Sequence, residues 1–187
     1  VGQAGFAFTR AMDQQTGDIA MQESPYLEGR GFLVDKLHRL PFLGSLSEKY
    51  IKHILRLSKI RTFEDGEIIT PEGAYDNWVY ILFSGAVRVE KHGKEIARIE
   101  EIGGAFGELA AVDGKARSAS VQAIGPTVCL AIDASFMNEA AEPLEQALFV
   151  SVMYRLFAEV IAQRLRASNE ELVRVRSELD RLKRNQR

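Results

Sequence analysis

From Phe32 onward the hydrophobic positions change period along the chain, and each change predicts a different kind of element. Leu33, Leu37 and Leu40 fall at helical spacing before Pro41 interrupts. Ser47 stands where it can cap a second helix, with Tyr50, Ile51, Ile54, Leu55 and Leu57 on the buried face. Between Ile60 and Ile132 the pattern shortens to β-rich runs bounded by turn residues: RTF, DGEIIT, PEGAYDN, WVYILFSGAVRVEK, HGKEIARI and SASVQAIGPTVCLAI. Asp65-Gly66 and His92-Gly93 are turn dipeptides, and Gly85 interrupts the long apolar run, where a tight connection or a bulge is expected. Only ELAAV reads as helix inside this region. Short strands at close spacing, with no helices alternating among them, predict an antiparallel barrel or double-sheet jelly roll, a β-roll with helices at its flanks.

After Ile132 the strand pattern stops. From Pro143 to about Lys183 there is no internal proline or glycine, and Ala, Leu, Glu and Arg dominate, which predicts a long helix. A seven-residue register fits its last part, with Leu165, Leu172 and Leu179 at a and Ile161, Ser168, Val175 and Leu182 at d. Glu171 and Glu178 at g then precede Arg176 and Lys183 at e, a charge order that can pair between parallel helices. The pattern predicts a parallel homodimer through the C-terminal helix; one amphipathic helix lying on its own domain is the alternative. Residues 1–30 mix glycine, glutamine and small residues without a sustained period and read as a mobile arm. The expected organisation is thus an arm over 1–30, a β-roll with N-terminal helices over 31–142 and a dimerising helix over 143–187.

Composition narrows the chemistry. The 187 residues are 46% hydrophobic and 27% charged with a net charge of −2, which suits a globular domain and gives no global footprint for nucleic acid. A single cysteine excludes an internal disulfide, and Cys129 in TVCLAI reads as a buried strand residue. No run approaches a membrane span and the first 25 residues lack a secretory core, so a cytoplasmic protein is expected. The start on Val1 points to a trimmed beginning. His38, His53 and His92 lack metal-ligand spacing, and no nucleophile–base–orienter set is readable, so the chain is expected to bind rather than to catalyse.

Residues 103 to 123, GGAFGELAAVDGKARSASVQA, carry the candidate site. The glycines permit backbone torsions that other residues resist, and a short helix can begin at Glu108 with free N–H groups facing an anion. Arg117 can close such a cradle with charge-assisted contacts to phosphate oxygens, and Glu108 can accept from a pair of hydroxyls such as a ribose. On spacing alone, ordinary turns with a solvated arginine explain the pattern equally well.

This run resembles the phosphate-binding cassette of cyclic-nucleotide-binding domains, found in catabolite-activator-type regulators, regulatory subunits of cAMP-dependent kinase and cyclic-nucleotide-gated channels. FEDGEIITPEG, WVYILFSGAVRV and the HGKE turn resemble the preceding strands of that family in order, so the likeness covers roughly residues 33 to 172. The resemblance implies that Glu108 holds the ribose 2′-hydroxyl and Arg117 the cyclic phosphate. It also implies that Phe106, Gly107, Leu109, Ala110, Ser118 and Ala119 complete the ligand site, Phe106 chiefly by packing in the roll. Ser118 follows the arginine as in cAMP-binding activators, where cGMP-selective relatives often carry threonine; cAMP is the expected ligand, with cGMP possible. AQRLRASNEEL resembles the helix that caps the base, which places Ser168 and Asn169 over adenine, one of them from a partner subunit, and sets Arg164 against Glu108. The expected function is a regulatory sensor with a downstream effector that the sequence does not name. The alternatives are the sensing part of a transcription regulator, this chain having no DNA-binding domain after LDRLKRNQR, and a dimerisation domain with a vestigial pocket.

Overall fold

The structure, a computed structural model, describes residues 9–12, 19–40, 43–135 and 144–185. Strands β1 (Thr9–Met12) and β2 (Ile19–Glu23) come first, then a 3-10 turn (Gly31–Leu33) and helices α1 (Val34–His38) and α2 (Glu48–Arg56). Next are β3 (Ser58–Phe63), β4 (Ile68–Thr70), β5 (Trp78–Lys91), β6 (Lys94–Ile99) and β7 (Ala105–Phe106). Helix α3 (Glu108–Asp113), β8 (Ser120–Asp133) and α4 (Leu144–Asn185) complete the chain. Every pairing is antiparallel, in the order β1-β2-β3-β8-β5-β6, with β4 on β8 and β7 on β5. This is the expected antiparallel β-roll with flanking helices and a long C-terminal helix.

The long strands β5 and β8 run together from Trp78↔Asp133 to Glu90↔Ser120. Their alternation divides two cores. Val79, Ile81, Leu130 and Ile132 face α1, α2 and the first part of α4, while Tyr80, Leu82, Cys129 and Ala131 fill the interior of the roll with Phe63, Phe106 and Val121. Burial of both faces explains why WVYILF and TVCLAI read as continuous apolar runs. Gly85 lies inside the register irregularity between Ser84 and Ala86 with φ 85°, and a Cβ there would come within 2.6 Å of the Pro126 carbonyl oxygen, so the expected bulge is a close backbone approach. Burial pushes the Cys129 thiol up to about 12, in keeping with an inert strand residue.

Three expectations are corrected. Part of the segment read as a mobile arm is built into the sheet: β2 pairs with β3, and Leu27 is buried with its N–H donating to the Ser58 carbonyl at 3.0 Å. The pairing partner lies far along the chain at β3, which local composition does not register. PEGAYDN is a loop after β4 rather than a strand. Ser47 holds the N-cap position of α2 but makes no side-chain cap bond; its carbonyl accepts from the Tyr50 and Ile51 N–H groups instead. Pro41 and Pro143 lie outside the described residues.

Helix α4 packs on the domain only along its first part. Phe149, Met153, Leu156, Phe157 and Val160 are buried at helical spacing, and the Phe149 ring meets Tyr50 and stacks on His53 at 4.1 Å. Beyond them Leu165, Leu172, Val175, Leu179 and Leu182 are exposed, so the heptad face does not lie on its own domain.

Candidate functional site

The site is built where β7 ends. Gly107 takes φ 85° between Phe106 and α3; a Cβ there would meet Arg117 Nη1 at 2.5 Å and the Trp78 carbonyl oxygen at 2.8 Å. Only glycine permits the left-handed turn and the approach of the arginine together. Helix α3 then starts with Glu108 turned into the protein at 1% exposure.

Arg117 is 4% exposed, and its guanidinium is almost wholly engaged. Nε donates to Asp76 Oδ2 at 3.0 Å, Nη1 to the Gly107 carbonyl at 2.8 Å, and Nη2 to Asp76 Oδ1 and to the Trp78 carbonyl. The loop after β4 fixes this arginine through its backbone as well. Gly73 N–H donates to the Arg117 carbonyl at 2.9 Å and Arg117 N–H to the Ala74 carbonyl at 2.8 Å, while Asp76 also accepts from the Trp78 N–H. A buried, fully oriented cation of this kind is pre-set for an anion that displaces or joins its partners.

Glu108 presents the opposite polarity. Its Oε1 accepts from Arg164 Nη1 at 2.7 Å, and Arg164 Nη2 also donates to the Ala105 carbonyl. The second oxygen, Oε2, is buried with no hydrogen-bond partner. An acceptor left unpaired in a buried place costs free energy unless a donor arrives, so the position fits a hydroxyl-bearing ligand.

One cavity joins these groups. It is lined by Phe106 to Ala110, Arg117 to Ala119 and Arg164, together with Thr70, Val89 and Val121. Phe106 packs as expected, 2% exposed and stacked on Tyr80 at 5.1 Å, yet it also forms part of the cavity wall. At the rim, Lys91 Nζ donates to the Ser118 carbonyl at 2.5 Å, and Glu72 lies 3.5 Å from the same ammonium. Ser168 and Asn169 are exposed on α4 beyond Arg164 and are not among the residues that line the cavity. Sequence reasoning missed Thr70, Val89, Val121 and Asp76. The first three were legible as inward positions of β-runs. Asp76 had no local signal, because it meets Arg117 across 41 residues of chain. Among the described residues no cluster of three His, Cys, Asp or Glu could hold a metal ion.

Comparison with known proteins bears on the domain family and the fold. Residues 60–142 match the cyclic nucleotide-binding domain family. A cGMP-dependent protein kinase of Eimeria tenella is 31% identical over 128 residues, 68% of this chain and 12% of the kinase. The catabolite activator protein of Thermus thermophilus superposes with a TM-score of 0.55 at 25% identity, over 72% of this chain and 62% of the other. A cyclic nucleotide-binding domain from Methylobacillus flagellatus shares the fold with a TM-score of 0.66 at 17% identity, over 86% of this chain and 92% of that one. Residues 60–142 carry a domain of the cyclic nucleotide-binding family. The chain spans only a small part of the kinase it matches. No described helix is long and apolar enough to cross a membrane.

Proposed function

We propose that this chain is a cyclic-nucleotide sensor that takes cAMP in preference to cGMP and relays occupancy to α4. The observation that carries the reading is the buried, unpartnered Glu108 Oε2 in the same cavity as the buried Arg117 guanidinium. A cyclic phosphate joins or displaces the present partners of the arginine and a ribose hydroxyl satisfies the carboxylate, with Val89, Val121 and Phe106 as apolar walls. Gly107, Leu109, Ala110, Ser118 and Ala119 complete the ligand contacts in this reading. Ser118 beside Arg117 supports cAMP, while the Eimeria relative is named for cGMP, so selectivity is the property to test.

Arg164 connects the cavity to the long helix, since it bonds Glu108 from α4. A ligand that engages Glu108 changes what Arg164 can hold, and α4 moves only as far as the nucleotide binds one helix position better than another. The exposed heptad face with its Glu171 to Arg176 and Glu178 to Lys183 charge order supports a parallel homodimer. In that dimer Ser168 and Asn169 cap the base, one of them from the partner. Residues 31–142 are then the sensor and 143–187 the output. The test is displacement of a fluorescent cyclic nucleotide by cAMP and by cGMP. The reading expects cAMP to displace at lower concentration and Glu108→Gln to weaken both; equal or reversed order removes the cAMP preference.

A further inference from the structure

We infer that Arg61 is a positioning residue for the nucleotide pocket and ties strand β2 to it through Glu23, Tyr80 and Trp78; the inference rests on reading that pocket as a cyclic-nucleotide site. Arg61 lies on β3 at 6% exposure and is not among the residues that line the nucleotide cavity. Its Nε donates to Glu23 Oε2 at 3.1 Å, its Nη1 to the Tyr80 hydroxyl at 2.7 Å, and its Cζ sits 3.9 Å from the centroid of the Trp78 ring. Packing alone does not call for a guanidinium here, because an apolar side chain of similar volume fills a core at least as well as a buried ion pair.

Each partner of Arg61 on β5 leads to Arg117. The Tyr80 ring stacks on Phe106 at 5.1 Å with the planes 10° apart, and Phe106 precedes Gly107, whose carbonyl accepts from Arg117. The Trp78 carbonyl accepts from Arg117 as well. A single planar cation therefore fixes the ring that supports the cassette glycine and the indole whose backbone holds the phosphate-binding arginine. On its other side the same cation is held by Glu23 at the end of β2, which Lys59 also grips at 2.7 Å. Coupling between two sites is reciprocal in free energy. Seating of β2 against β3 thus favours the nucleotide-competent Arg117, and nucleotide favours the seated strand.

Trp78 is the single tryptophan of the chain and so a built-in reporter. The experiment titrates the full chain with cAMP, following Trp78 emission and heat, for the unsubstituted protein, Arg61→Lys and Tyr80→Phe. Tyr80→Phe keeps the stacked ring and removes only the bond from Arg61, so it tests the link without emptying the core. The part of that hydrogen bond's free energy that differs between the free and the nucleotide-bound protein sets the loss, so Tyr80→Phe should bind cAMP more weakly by up to about tenfold. A comparable loss is expected in Arg61→Lys, with a smaller emission change at saturation in both, measured well below each variant's melting temperature. Unchanged affinity and an unchanged emission signal in both variants, against a binding parent, would overturn the inference alone. Absence of binding by the parent would overturn the pocket reading and this inference with it.

Discussion

Replacing Asp76 with alanine removes the counter-charge of Arg117 and leaves a nearly buried guanidinium held only by the Gly107 and Trp78 carbonyls. Breaking a fully buried ion pair costs about 3–5 kcal/mol. The Asp76 side chain is 31% exposed, so water offsets part of that loss, and about 1–3 kcal/mol remains. At about 2–4 °C per kcal/mol for a chain of this size, the variant should melt roughly 2–12 °C lower without nucleotide. A cyclic phosphate supplies the missing negative charge to the same donors. The rise in melting temperature on saturation with cAMP should therefore be larger in Asp76→Ala than in the parent. Scanning calorimetry with and without cAMP reads both quantities. A variant that melts like the parent, or that gains no more from nucleotide, would refute the assignment of Asp76 as the arginine's counter-ion.

Gly107→Ala should lose most nucleotide affinity and lower the melting temperature, because the new Cβ meets both Arg117 and the Trp78 carbonyl at a positive φ; displacement of a fluorescent nucleotide checks it. Burial first, then the charges of Arg56 and Lys49, hold the His53 imidazole below its ordinary value of 6.5. The unfolded chain takes up a proton there before the folded one does. Stability from this group is therefore complete above about pH 6.5 and falls as the pH drops below it, and His53→Asn should flatten that slope in urea titrations at successive pH values. Leu172→Glu with Leu179→Glu places like charges on the exposed heptad face and should give a monomer in sedimentation while leaving the roll folded; an unchanged dimer would exclude that face as the interface.

Period and turn residues made much of this fold legible. The two long strands, the Gly85 bulge and the α3 interruption follow from alternation and glycine placement, and the length of α4 follows from its lack of breakers. Long-range pairing was the blind spot. Nothing in IAMQE announces that β2 seats on β3, and the loop 71–77 carries β-like spacing but is drawn off the sheet by its bonds to Arg117. The site divides in the same way. Glu108, Arg117 and Arg164 were readable because the resemblance assigns each a role, and the structure brings all of them to one cavity. Asp76 and Thr70 come from a segment distant in sequence from Arg117, whereas Val121 lies four residues after it on β8, and Ser168 and Asn169 are not among the residues that line the cavity.

The central claim is tested most directly by calorimetric titration of nucleotide-stripped protein with cAMP, the parent beside Arg117→Ala. Truncating one side of a buried charged contact costs about 2–5 kcal/mol, a fall of at least about thirtyfold. Micromolar or tighter binding by the parent that the variant loses on this scale is the predicted result. No heat from folded parent protein, or equal affinity in both, would contradict the account.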